Sequence, residues 1–426
     1  MIGEQIFKLA ERLWPINRSL TGRGVRETLK ILQEVIPSLQ IKSIKSGTSA
    51  FDWKIPDEWE CSEAYIITPE GEKICDFKVN NLHLVGYSEP IDKTLSLDEL
   101  QNNLYSLPEQ PNAIPYVTSY YSKRWGFCIS HNQRDTLRNG SYKVRISSKH
   151  FKGQLNYGEL IIKGESSKEV FLSTYICHPS MANNELSGPT VTAFVAKWIT
   201  ENIPNPRFTY RIIFIPETIG SIAYLSLHHK ELRANVVAGF NITCIGDERA
   251  YSYLPSRNGN TYSDLISQHV LKHIDENFVS YTWLDRGSDE RQYCAPGIDL
   301  PVASIMRTKY GEYPEYHTSL DTLSEVVTPK GLTGGYLAIT RAIETIENDK
   351  IYNSTVLCEP QMGKRGLYPN ISFKRSAEDV KRMMDLLSLC DGKKSLLEIA
   401  EFLAIPLWAL YPLLNTLIEN RLIEEV

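Results

Sequence analysis

Two short stretches constrain this chain more than any others. Residues 170–176 (VFLSTYI) and 210–215 (YRIIFI) are mainly apolar runs of strand length, and each leads straight into a loop of chemically capable side chains. Such runs suit strands buried on both faces of a sheet. Helical stretches at 190–203 and 219–231 and a further strand-like run at 235–242 alternate with them. That alternation predicts crossover units and a mostly parallel sheet, an α/β core over 151–350.

The flanking segments read differently. Ile6, Leu9 and Leu13, then Val25, Leu29 and Leu32, keep the spacing of two amphipathic helices, with turn chemistry at 15–24 between them. Residues 1–44 are assigned to the core on this basis. Short alternating runs at 63–67, 83–87 and 142–146, separated by turns such as Pro69-Glu70-Gly71, predict a β-rich inserted domain over 45–150. Residues 351–375 read as a linker. Residues 376–426 predict three short helices in a winged-helix pattern. Ser395 and Glu398 form a capping box there, and Pro412 either kinks or restarts the helix over 407–418.

Charge narrows the function classes. The chain has 46 Lys+Arg against 51 Asp+Glu, which argues against general nucleic-acid or anionic-membrane binding. No apolar run reaches the ~18–20 residues of a membrane span. Glu4, Lys8, Glu11 and Arg12 interrupt any signal-peptide layout, so a cytoplasmic location is expected. Eight scattered cysteines fit free thiols in a reducing compartment and leave metal chemistry to histidine and carboxylate. The winged-helix segment is itself acidic, with five basic and nine acidic side chains over 377–426 and no Lys or Arg over 406–420. Phosphate neutralisation is therefore missing and no nucleic-acid partner is expected. A protein–protein or homo-oligomer contact through Leu407, Trp408, Leu410 and Tyr411 is expected instead.

Four loops carry candidate chemistry. Cys177-His178-Pro179 through Asn183-Asn184-Glu185 follows one buried strand, and Pro216-Glu217-Thr218 follows the next. Open α/β sheets bind ligands at such carboxyl ends. The third loop is Arg286-Gly287-Ser288-Asp289-Glu290-Arg291, and the fourth is Tyr313-Pro314-Glu315-Tyr316-His317 through Asp321. Each has a bland alternative when taken alone: Glu185 and Glu217 as helix-capping carboxylates, His178 and His317 as loop histidines. Together, two histidines and at least two carboxylates at successive strand ends are the ligand chemistry of catalytic zinc, which takes about three protein ligands and keeps one position open.

The order His178, Asn184-x-x-Ser187-Gly188, strand-Glu217-x-x-Gly220-Ser221, Gly287-Ser288-Asp289 and Tyr313-x-x-Tyr316-His317-x-x-x-Asp321-Thr322 resembles the zinc aminopeptidase family that includes leucyl aminopeptidases and glutamate carboxypeptidase. The wider resemblance covers about 155–350, and 313–322 is its most specific part. Nearly the whole chain resembles a narrower group of bacterial aminopeptidase-like proteins with an inserted β domain and a C-terminal winged helix, often encoded beside polysaccharide-biosynthesis genes. The resemblance implies a zinc-peptidase core of the phosphorylase/hydrolase-like α/β type and amide hydrolysis of a small peptide or amide substrate.

The chain departs from that pattern at the metal positions. The family's bridging Asp is here Asn184, its Glu-Glu pair is reduced to Glu217, and the Asp expected near the end of the next strand falls at about Thr243. One zinc ion is therefore expected rather than two. His178, His317 and Glu185 are the expected ligands, with Glu217 as general base; the reverse assignment of the two glutamates stays open. Asp247 is an alternative ligand if its loop bends back. Asn184, Asp289, Asp321 and Tyr316 are expected to orient ligands or meet substrate, and Arg286, Arg291 or Arg307 to bind a substrate carboxylate. Residues 120–131 gather aromatics, two cations and a histidine, and either line the cleft or edge the β lobe. The alternatives to a peptidase are a non-catalytic binding or assembly protein, and an amide or acyl hydrolase acting on polysaccharide-biosynthesis intermediates.

Overall fold

The structure, a computed structural model, describes residues 1–367 and 374–426. The chain divides into two compact units, one of residues 1–264 and 277–337, the other of residues 265–276 and 338–426.

The first unit is built on an eight-stranded mixed sheet. Its centre is parallel, running from Phe208–Ile215 through Ser166–Tyr175 and Val236–Asn241 to Val302–Met306. Gln40–Lys45 and Gln154–Ile162 extend one side with antiparallel pairing, and Ser252–Leu254 pairs antiparallel on the other. The apolar runs do what their composition demands: Phe171, Leu172, Ile212, Ile213 and Phe214 are fully buried. Helices Ser187–Asn202 and Ile219–Asn235 make the crossovers, and Ile2–Leu13 and Arg23–Val35 pack their apolar stripes into the same unit.

Register places the site. Tyr175 pairs with Ile215, so the loops holding His178 and Glu217 leave neighbouring strands at the same level. A Cβ at Gly188 would lie 2.5 Å from the Ile242 carbonyl oxygen, so glycine lets the first crossover helix start hard against the next strand end.

Within 45–150, a four-stranded sheet runs in the order Lys73–Ile74, Glu58–Ile67, Ser141–Phe151, Ile91–Ser96. Residues 83–87, expected as a strand, instead make only isolated bridges at Leu84 and Gly86 after the short turn Asn81–His83.

In the second unit, helices Lys374–Leu389, Leu396–Leu403 and Tyr411–Glu419 accompany a three-stranded sheet. The Ser395–Glu398 capping box is formed, and Pro412 starts a helix afresh. Two expectations change. Residues 351–354, read as the start of a linker, form the central strand of that sheet, because Tyr352 pairs with Glu425 and Ile351 with Ser395. Residues 368–373 of the expected linker lie outside the described residues. Leu407 and Leu410, expected as an oligomer surface, are fully buried. Trp408 is covered by the His269 and His273 rings and by the Arg341 guanidinium, 5.1 Å from its ring, and Tyr411 donates to the Glu344 carbonyl. Leu407 and Leu410 belong to the core of their own unit, with Trp408 and Tyr411 half-buried beside them. Among the described residues, no helix is long and apolar enough to cross a membrane.

Candidate metal centre

Strand ends bring the site together with strained backbone. Ser180, Thr218, Cys244 and His317 all carry positive φ (40°, 62°, 45° and 56°), and all four lie in loops at the carboxyl edge of the sheet or beside it. Strain of this kind persists where surrounding structure enforces it, commonly at functional sites.

His178 has two differently equipped edges. Its Nδ1 lies 3.0 Å from Glu185 Oε2 and 3.3 Å from Cys177 Sγ. Its Nε2 lies 3.5 Å from Glu217 Oε2. Behind the first edge sits Arg18, which donates from Nε to the His178 carbonyl (3.0 Å) and from Nη1 to the Leu13 carbonyl (2.7 Å). Arg18 Nε is 3.5 Å from Glu185 Oε1, with both side chains 0% exposed. Burial pushes the Glu185 carboxyl up, against the pull of His178 and Arg18. Burial also disfavours charge on His178, yet Cys177 and Glu185 hold its pKa well above the ordinary imidazole value.

The His317 ring centroid is 5.7 Å from that of His178. Tyr316 stacks on His317 at 3.9 Å, and Tyr116, 5.2 Å away, donates its backbone N–H to the His317 carbonyl. Burial, reinforced by positive charge on His178, drives the His317 pKa down to about 3. At neutral pH it is a neutral imidazole, the form that binds metals.

Glu217 and His178 open on a cavity of about 340 Å³ walled by Leu20, Trp53, Tyr120 and Tyr121, with Arg291 on its rim. Tyr120 and Tyr121 thus join the cleft, as one reading of the 120–131 cluster has it. Ser288 donates from Oγ to Glu217 Oε1 at 2.9 Å.

The remaining candidates separate clearly. Asp289 is fully buried, accepts from Thr218 N–H and Ser221 Oγ, and is pushed to about 7 by burial and by Glu217. Asp321 caps the π-helical turn Ala182–Leu186 by accepting from the Asn183 and Asn184 N–H groups. It also accepts from Tyr313, and burial raises its pKa to about 6. Asn184 donates to Tyr175 OH at 2.9 Å, while its buried Oδ1 has no hydrogen-bond partner among the described residues. Thr243 closes the same neutral network through Tyr175 OH.

Asp247 does not bend back to the histidines. Its oxygens accept from Asn183 Nδ2, Arg249 N–H and both Thr308 donors, so they tie loops together. Arg286 lies over the Trp283 ring, and Arg307 donates to the Ala250 carbonyl beside Tyr251; neither lines the cavity. Arg18 and Tyr116 escaped the sequence reading of the site. Arg18 lies in the 15–24 turn, 160 residues from His178, where no periodicity signals its destination.

Do these residues fit zinc? Two ligands at ~2.0–2.1 Å on a tetrahedral ion stand roughly 3.3 Å apart. The 3.5 Å between His178 Nε2 and Glu217 Oε2 is close to that edge. His178, His317 and Glu217 also make up the His₂Glu donor chemistry of catalytic zinc. The one grouping among the described residues whose ligand atoms all lie within 4.8 Å of one another is Cys177, His178 and Glu185, on the Nδ1 edge. Its carboxylate already faces the Arg18 cation in a sealed interior, so that edge suits holding the ring rather than a reacting ion. The structure brings both expected carboxylates to the His178 ring, Glu185 at the Nδ1 edge and Glu217 at the Nε2 edge.

The profile of the family described as a domain of unknown function (DUF4910) matches residues 7–349, and that of a winged helix-turn-helix matches 350–425. A Clostridium acetobutylicum protein named for polysaccharide biosynthesis and an aminopeptidase-like domain is 44% identical over 400 residues, 93% of this chain and 91% of its own. A crystal structure from the same species, named as a candidate peptidase, matches with a TM-score of 0.93 at 41% identity, covering 100% of this chain and 96% of that one. A Bacillus subtilis zinc aminopeptidase has a similar fold, with a TM-score of 0.58 at 15% identity over 81% of this chain and 94% of its own.

Proposed function

The chain belongs to the family described as a domain of unknown function (DUF4910) and carries a winged helix-turn-helix after it, and on that premise we propose that it is a metal-dependent, aminopeptidase-like hydrolase of amide bonds that holds one zinc ion. The observation that carries the reading is the setting of His178: Glu217 Oε2 lies 3.5 Å from its Nε2 at the cavity, the His317 ring lies 5.7 Å from its own, and Glu185 and Arg18 stand behind.

His178 and His317 would hold the ion, with Glu217 facing it. When bound, zinc supplies Lewis acidity that polarises a carbonyl and lowers the pKa of water to roughly 7. The chain's own residues do the rest. Glu185 accepts from His178 Nδ1, which points Nε2 at the cavity. Tyr316 and Tyr116 hold the His317 ring. Among the described residues Glu217 is the one carboxylate lining the cavity, and Ser288 donates to its Oε1. It takes a proton from the attacking water and returns it to the departing nitrogen. Water thereby adds across the amide C–N bond, giving an acid and an amine.

One ion is favoured over two because the position of the family bridge is the neutral Asn184, hydrogen-bonded to Tyr175 and, through it, to Thr243. Asp247 is engaged elsewhere. A second reading keeps the chemistry and moves the substrate: the Clostridium relative's name favours an amide on a polysaccharide-biosynthesis intermediate.

The test is hydrolysis of a panel of aminoacyl, peptidyl and N-acyl amino-sugar amides. Turnover abolished by chelation and restored by zinc supports the proposal. Its absence across the panel with zinc bound favours a non-catalytic binding protein.

A further inference from the structure

We infer that the substrate of this site carries a carboxylate that docks on Arg291, and that a free amino terminus is not what the cavity selects. The inference rests on the amide-hydrolase reading and names its substrate class.

The argument starts from what an ammonium group needs. Taken out of water, it must find an anionic partner or several good acceptors. The cavity offers one carboxylate, Glu217, and that one is already turned to His178 at 3.5 Å and to Ser288 at 2.9 Å. The acids around it lie off the cavity. Asp289 is fully buried, with Oδ1 accepting from Thr218 and Ser221 and Oδ2 without a hydrogen-bond partner among the described residues. Glu290 accepts from Gly287, Ser288, Tyr310 and Asn241. Asp321 caps the π-helical turn, and Glu315 makes a two-bond pair with Arg249. Apart from Glu217, no carboxylate among the described residues lines the cavity to receive an amine.

The opposite charge is free. Arg291 makes one side-chain hydrogen bond, from Nη2 to Thr218 Oγ1 at 2.8 Å, and no ion pair among the described residues. It lines the same cavity as Glu217. A guanidinium with its remaining N–H groups uncommitted matches a carboxylate's two oxygens. The apolar wall of Leu20, Trp53 and Tyr121 suits the side chain between that carboxylate and the amide. The fitting class is a carboxylate-bearing amide, such as an N-acylated amino acid or the carboxyl-terminal residue of a blocked peptide.

Equilibrium binding to the zinc-loaded full chain tests this, with N-acetyl-leucine and leucinamide as probes, read by calorimetry. N-acetyl-leucine is expected to bind at least roughly tenfold more tightly than leucinamide, and Arg291→Gln to remove that preference by a similar factor. Arg286→Gln, which lies off the cavity, is the control and should leave both affinities and zinc content unchanged. Leucinamide binding as tightly or more tightly, N-acetyl-leucine binding indifferent to Arg291→Gln, or neither probe binding would each overturn the inference. The parent reading fails separately. Chelator-sensitive hydrolysis of leucine amides with no dependence on Arg291 leaves the hydrolase standing and removes the carboxylate site. Arg291-dependent binding without any chelator-sensitive hydrolysis does the reverse.

Discussion

Glu185 Oε2 lies 3.0 Å from Nδ1 of His178, on the ring edge turned away from Glu217. One imidazole thus separates two carboxylates with different surroundings: Glu185 fully enclosed beside Arg18, Glu217 at the cavity. A carboxylate on the rear nitrogen fixes the ring and its tautomer. Glu185→Gln is therefore expected to lower zinc affinity or turnover by roughly 10–100-fold while the fold persists. Zinc titration with circular dichroism checks both halves.

Arg18 has a larger structural role. Removing it leaves a buried carboxylate without its cation, which costs about 3–5 kcal/mol. Arg18→Ala should therefore shift the denaturant midpoint far more than Arg12→Ala, whose partner Glu34 is exposed on the surface. Comparable midpoints would show that Arg18 does not hold the site together.

Glu217→Gln is expected to reduce turnover by roughly 100-fold or more, since proton transfer by a positioned side chain contributes about that much. It should also weaken zinc binding. Loss of turnover with unchanged zinc affinity would leave Glu217 as proton acceptor alone.

Zinc uptake should release protons. In the metal-free protein, Cys177 and Glu185 hold the His178 pKa well above an ordinary imidazole's. The metal must displace the ring's proton, so zinc affinity rises with pH. Calorimetry in buffers of different ionisation enthalpy measures the proton count directly.

His317 titrates in the opposite sense. Its folded pKa of about 3 lies below the ordinary value of 6.5. The stability it contributes to the metal-free protein is present above pH 6.5 and is lost as pH falls toward 3. A His317→Phe variant should show a flatter stability profile across that window, measured by urea unfolding at each pH.

Much of this was legible in the sequence because strand-end positions follow from the apolar runs. The strands at 166–175 and 208–215 placed His178 and Glu217 side by side before any coordinates, and the 313–322 loop supplied His317. What the runs do not encode is which edge of a ring a carboxylate approaches. Glu185 and Glu217 are both acids near His178, and only the π-helical turn Ala182–Leu186, held by Asp321, turns Glu185 to the rear. Arg18 was missed because its partner is distant in sequence. Leu407 and Leu410 were misread because an apolar helix face looks the same whether it covers its own core or a partner. The strand at 351–354 was missed because its partners, 391–395 and 423–425, lie far along the chain.

The most direct test is metal analysis of the purified chain, wild type beside His178→Ala and His317→Ala, after dialysis against zinc. About one tightly bound zinc per wild-type chain, lost in both variants, is the predicted result. Absence of bound zinc in the wild type, or its retention when His178 and His317 are each removed, would contradict a metal centre built on these two histidines.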